Sequence, residues 1–280
     1  MFVVIAALLS NILTVIHLRG NAQRKLRVSE RYIFRKLAPC FIAVSNAAAE
    51  DWVRAGIPSD HITVVYNPYE SVNKASRNKT PTPNCSSYNI KDSESNIIDD
   101  DSYRLLFVGQ LRSIKGVDSL LRSLINIAIS NWTLTIVGDG PERSALEKIV
   151  DNNKLLSGRV FFVGWQKEIT NYYLENDVLV LPSKKEGFGR SIIEAMIHKL
   201  PVVATRVGGI PELINHKITG ILVDYGNESA LCEALELIYY NSVLRKNIQE
   251  EAYKYVCNNF SEEIFIKKLI KICNNSCLHK

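Results

Sequence analysis

Lys184-Lys185-Glu186-Gly187-Phe188-Gly189-Arg190-Ser191-Ile192-Ile193-Glu194-Ala195-Met196 decides how this chain is read. Before it runs Asp177-Val178-Leu179-Val180-Leu181-Pro182-Ser183, a short apolar stretch of the kind a buried parallel strand shows. After it, Ile192 to Leu200 reads as a helix stopped ahead of Pro201. The stretch therefore turns from strand to helix at the carboxyl end of a strand, the edge where open α/β sheets bind ligands. Gly187 and Gly189 let the backbone approach a ligand closely and take positive φ. The N–H groups of Gly187 to Ser191 gather at the helix start, which favours a phosphate. Glu186 leaves from the loop, and Glu194 sits about one turn into the helix with its Cβ leaning back toward the start, so both carboxylates reach one pocket. Carboxylates repel a phosphate but accept hydrogen bonds from hydroxyls, and sugar and ribose hydroxyls are such donors. On this stretch alone, a surface loop with an ordinary first-turn glutamate is the plain alternative.

Outside that stretch, the 280 residues are 46% hydrophobic and 22% charged, an ordinary globular composition with room for two domains. A net charge of +5 suits an anionic ligand or an anionic membrane surface and is too weak to argue for nucleic acid. The apolar residues 1–16 lack a basic leader and a small-residue cleavage site, and Ser10, Asn11 and Thr14 break them below spanning length. They read as the end of a core helix followed by a strand, Ile12 to Ile16. Without a secretory signal, the six scattered cysteines read as reduced thiols of a cytosol.

Further apolar runs at 40–44 and 62–65, with helices over Val28–Leu37 and Ala47–Ala55, give the β-α-β-α-β rhythm of a parallel sheet. Ser45 or Asn46 caps the second helix, and Gly56-Ile57-Pro58 stops it. Arg19, Arg24, Lys25, Arg27, Arg31, Arg35 and Lys36 crowd one region, either a solvated helix face or a surface for anionic lipid or a charged acceptor. Residues 71–101 are polar and Pro-containing, a linker or insertion. Beyond them, strands at 103–109, 134–137, 160–163, 178–181, 202–205 and 220–223 alternate with helices, the first helix running from Val117 to Ala128. This is a doubly wound pattern. The divisions expected are residues 1–70, a polar 71–101, a domain over 102–259 and a terminal helix over 260–280.

Glu186-x7-Glu194 is joined by Gly109-x5-Lys115-Gly116, Ile136-Val137-Gly138-Asp139-Gly140-Pro141, Val207-Gly208-Gly209-Ile210-Pro211-Glu212 and Thr219-Gly220. Together, in this order, they resemble family 4 of the retaining nucleotide-sugar glycosyltransferases, which have the GT-B fold of two doubly wound Rossmann-like α/β domains. Val44-Ser45-Asn46 and Val65-Tyr66-Asn67-Pro68 resemble the closing strands of the family's first domain, and Leu13 to His17 the strand that presents its active-site histidine. Against that family pattern Met1 falls in mid-domain, so the first domain is expected to be incomplete.

The resemblance implies metal-independent transfer of a sugar from a UDP-sugar or GDP-sugar to a glycan or lipid-linked hydroxyl, with retention and without a cofactor. It implies that Arg112 and Lys115 meet the charge growing on the leaving phosphate, with Gly109, Gly187, Phe188, Gly189, Arg190 and Ser191 lining the donor site. It gives Glu194 the ribose hydroxyls, Glu186 the donor-sugar hydroxyls, Trp165 and Gln166 the base, and His17 a place facing the sugar from the other domain. The residues themselves read as a cytoplasmic protein with no nucleic-acid partner, and the Arg19–Lys36 region leaves open a peripheral place on the inner membrane face. The competing reading is a catalytically impaired donor-binding fragment that needs a missing N-terminal half or a partner chain.

Overall fold

The computed structural model describes residues 15–18, 25–27, 30, 40–69 and 102–277. The expected helix over Val28–Leu37 (Glu30 apart), the polar stretch 71–101 and most of the basic cluster lie outside the described residues.

Two parallel sheets organise the described residues. The first holds β1 (Val15–Leu18), β2 (Cys40–Ala43) and β3 (Ile62–Val64) in the order β1-β2-β3. Of the strand expected over 12–16, Val15 and Ile16 are described; they lie in β1, which continues through His17, opposite Ile42, to Leu18. Between β2 and β3 runs α1 (Asn46–Ala55). Ser45 is its cap, with Oγ accepting from the Ala48 N–H at 3.0 Å. Gly56 closes the helix in the left-handed conformation.

The second sheet holds β4 (Tyr103–Val108), β5 (Trp132–Val137), β6 (Val160–Gly164), β7 (Val178–Leu181), β8 (Val202–Thr205) and β9 (Ile221–Val223) in the order β6-β5-β4-β7-β8-β9, all parallel. The helices between and after them are α2 (Val117–Leu124), α3 (Arg143–Asp151), α4 (Thr170–Glu175), α5 (Arg190–Ile197), α6 (Glu228–Tyr240), α7 (Ser242–Asn259) and α8 (Glu262–Cys277). Every residue of β7 and β8 is buried, which is why both read as unbroken apolar runs. Leu105, Leu106, Phe107, Leu134 and Ile136 are fully enclosed, each contributing about 1.5–3 kcal/mol of burial. In α8, Ile272 packs with Cys40, Ile42 and Val65, so the last helix returns to the first sheet.

Two helix readings are corrected. The helix after Gly116 ends at Leu124 and not at Ala128, because the Asn126 N–H turns back to Ser123 O. The helix of the site stretch runs from Arg190 to Ile197 and not from Ile192 to Leu200; Lys199 takes φ 57°, which breaks it before Pro201 is reached.

The chain lays β4, β5 and β6 outward in one direction, then returns to place β7 on the other side of β4. The order reverses between β4 and β7, and the loops leaving their carboxyl ends face each other across that crevice.

Candidate functional site

Gly109 leaves β4 with its N–H on Val137 O, and a 3₁₀ turn, Ser113–Lys115, follows. Gly116 has φ 69°, and a Cβ there would lie 2.2 Å from Pro182 O. The Lys115-Gly116 pair is therefore a packing condition: only glycine lets the first loop touch the strand end that carries the second. Ile114 O accepts from the Lys184 N–H at 2.8 Å, which joins the two loops directly.

Joined in this way, the loops bring Lys115 Nζ to 2.5 Å from Glu186 Oε2. Their side chains are 19% and 13% exposed. The two residues expected to serve different parts of a donor, one the phosphate and the other the sugar, are partners of each other. The ammonium has three donors and the carboxylate about four acceptor sites, so the pair keeps capacity for a ligand anion on one side and a hydroxyl on the other. Arg112, at the start of the same turn, is exposed and has no ion pair among the described residues.

After β7, Gly189 caps α5 with φ 92° and no side chain closes the helix start. Gly187 does not adopt positive φ, so one of the two loop glycines is used for that purpose. Phe188 is buried, its ring stacked on Tyr66 and packed on Phe260, which leaves only its backbone toward the crevice. The Val207-Gly208-Gly209 turn abuts this loop from below: a Cβ on Gly208 would lie 1.8 Å from Glu186 O, and the Gly209 N–H donates to that oxygen at 3.1 Å.

Glu194 is held by neighbours that the sequence did not reveal. Its Oε2 accepts from the Tyr173 hydroxyl at 2.8 Å, and its Oε1 lies 3.4 Å from Arg190. Arg190 is thus engaged with Glu194. The Tyr173 ring stacks on His198, whose Nδ1 lies 2.6 Å from Glu194 O. Burial, followed by the Glu194 charge, pushes the Tyr173 phenol far above its ordinary range, so it remains a donor. Ser191 follows Arg190 in the first turn, half-buried.

Trp165 and Gln166 follow β6 at the same sheet edge. The Trp165 indole is 73% exposed, a free aromatic face, while Gln166 Nε2 is tied to Val163 O at 2.8 Å. His17 has its backbone in β1; its side chain lies outside what is described. Among the described residues, no three His, Cys, Asp or Glu side chains group to hold a metal ion.

The family model for glycosyl transferases group 1 matches residues 89–255, more than half of the chain. The chain is 30% identical over 253 residues to an uncharacterized 41.2 kDa protein in the cps region of Klebsiella pneumoniae, covering 89% of this chain and 65% of that one. It is 29% identical over 227 residues to the N-acetyl-alpha-D-glucosaminyl L-malate synthase of Bacillus anthracis, covering 81% and 57%. The chain thus spans less than two thirds of these relatives' length. Among solved structures, Anabaena HepE in complex with UDP superposes with a TM-score of 0.80 at 21% identity, over 97% of this chain and 75% of that one. The shared architecture is the GT-B fold.

Proposed function

The chain belongs to the glycosyl transferases group 1 family, and from that membership we propose that it moves a sugar from a nucleoside-diphosphate donor to a hydroxyl of a glycan or lipid-linked acceptor, with retention and without a metal ion. The observation that carries this reading is the Lys115–Glu186 pair set at the strand-order reversal, beside an uncapped helix start. UDP is the favoured nucleotide, since HepE is bound to it, with GDP as runner-up.

Transfer breaks the bond between the anomeric carbon and the β-phosphate oxygen, and negative charge grows on the departing phosphate. Arg112, Lys115 and the first amides of α5 supply positive charge and donors where that charge develops. Glu186 orients sugar hydroxyls and Glu194 the ribose; the exposed Trp165 face offers the base a stacking surface. The same reading gives His17, whose backbone lies in β1, a role at the donor sugar. The basic region Arg19–Lys36 supports action at the cytoplasmic face of a membrane.

The test is donor consumption by the chain with UDP-glucose, UDP-galactose, UDP-N-acetylglucosamine and GDP-mannose, with the product anomer read by NMR. Nucleotide release with a retained anomer is expected. Release with inversion would overturn the mechanism, and no release with any donor would overturn the function.

A further inference from the structure

The turn that carries Glu186, Gly187 and Phe188 is anchored largely from outside the six-stranded sheet. Gly187 O accepts from Ser45 Oγ at 2.6 Å, the same hydroxyl that caps α1. Phe188 stacks on Tyr66, with centroids 5.7 Å apart and planes at 14°, and both rings lean on Phe260. Lys185 reaches Asp51 Oδ2 of α1 at 3.5 Å.

Glu212 closes this arrangement. Its Oε2 accepts from the Asn46 N–H (2.8 Å), from Asn46 Nδ2 (2.8 Å) and from the Tyr66 hydroxyl (3.0 Å), and its Oε1 accepts from the Ala47 N–H (2.9 Å). The Tyr66 oxygen in turn accepts from Asn46 Nδ2 at 2.9 Å. A negative group at the start of α1 has the favoured sign for that helix end, and several charge-assisted bonds fix it there. Two residues before Glu212 in the same turn, Ile210 is fully buried, and Tyr255 donates to Glu212 O at 3.0 Å, so the carboxylate is mounted on a rigid base.

We propose that Tyr66 and Glu212 are positioning residues: Tyr66 stacks on the 186–188 turn from the side of the first sheet, and Glu212, in the turn between β8 and β9, holds Tyr66 and the start of α1 in place, so that Glu186 meets a donor sugar in the geometry its pairing with Lys115 holds. The inference rests on the donor reading above. A turn that contains Gly187 and is followed by Gly189 loses conformational entropy when it is ordered, and these anchors offset that cost before a ligand arrives. Their loss falls on the sugar contact that Glu186 makes and spares the nucleotide contacts, which come from the start of α5, the Arg112–Lys115 turn and Trp165.

The test compares wild type, Tyr66→Phe and Glu212→Gln as 280-residue chains. Hydrogen exchange at the amides of 187–189 should quicken by roughly five- to tenfold in Tyr66→Phe, the worth of one hydrogen bond, and further in Glu212→Gln, while amides of β4 and β7 keep wild-type rates. Calorimetry with UDP and with UDP-glucose should show the second affinity falling and the first holding. Unchanged exchange in both variants, or a rise shared equally by β4 and β7, or equal loss of both affinities, would overturn the proposal. A wild-type chain that binds neither compound would count against the donor reading, and the exchange arm would still decide on the anchors.

Discussion

Lys115 and Glu186 stand 71 residues apart in the chain and meet at 2.5 Å beside the β4–β7 crevice. Arg112, on the same turn as Lys115, is exposed. The two cations therefore differ in what their removal should do. Lys115→Ala strands a largely buried carboxylate and should cost roughly 1–3 kcal/mol of stability. Arg112→Ala should stay within about 0.5 kcal/mol, as surface changes do. Both should lower turnover by about 10²-fold, in line with one lost donor to a developing oxyanion. Denaturant titration together with initial rates checks this; an Arg112→Ala enzyme of normal rate would remove that residue from the site.

The Tyr173 hydroxyl fixes Glu194 Oε2, so Tyr173→Phe should weaken nucleotide binding by about tenfold or less, the scale of one hydrogen bond lost at second hand. The ring keeps its stack on His198, so the melting temperature should change little beside the affinity. Calorimetric titration with UDP reads the effect, and unchanged affinity would mean that Glu194 needs no such support.

The strands of the second sheet were legible because burial on both faces writes a continuous apolar run, as in Val178–Leu181 and Val202–Thr205. Lys115 and Glu186 were legible because a glycine-dependent contact pins each loop, and such glycines leave a fixed spacing. The contacts of Tyr66, Tyr173 and Glu212 were not, although Tyr66 and Glu212 stand in motifs that the sequence shows: Glu212 bonds Asn46 across 166 residues, and a pairing between distant polar side chains leaves no period in either segment. The early end of α5 was missed for a similar reason, since the left-handed Lys199 looks like any other lysine in sequence.

Burial, followed by the hydrogen bond to Glu212, pushes the Tyr66 phenol up to about 12. Its folded value lies above the free value of about 10, so the stabilisation from this bond is complete below about pH 10 and is lost as pH rises through about 12. At pH 8, Tyr66→Phe should be less stable than wild type by about 1 kcal/mol, and the gap should close between pH 10 and 12. Denaturant unfolding across that range checks it; a constant gap would contradict the assigned bond.

If Arg112, Lys115 and the α5 amides meet the leaving phosphate, transfer should survive an excess of EDTA. Initial rates before and after chelation are the measurement, and loss of activity restored by magnesium or manganese would show that a metal ion does that work.

The most direct measurement is calorimetric titration of wild type and Glu194→Ala with UDP, UDP-glucose and GDP-mannose. The account predicts saturable binding of at least one of these by wild type, weakened in Glu194→Ala by roughly 1.5–3 kcal/mol, the worth of a hydrogen bond to a charged group. No binding by wild type, or equal binding by both proteins, would contradict a nucleotide-sugar site at the reversal between β4 and β7.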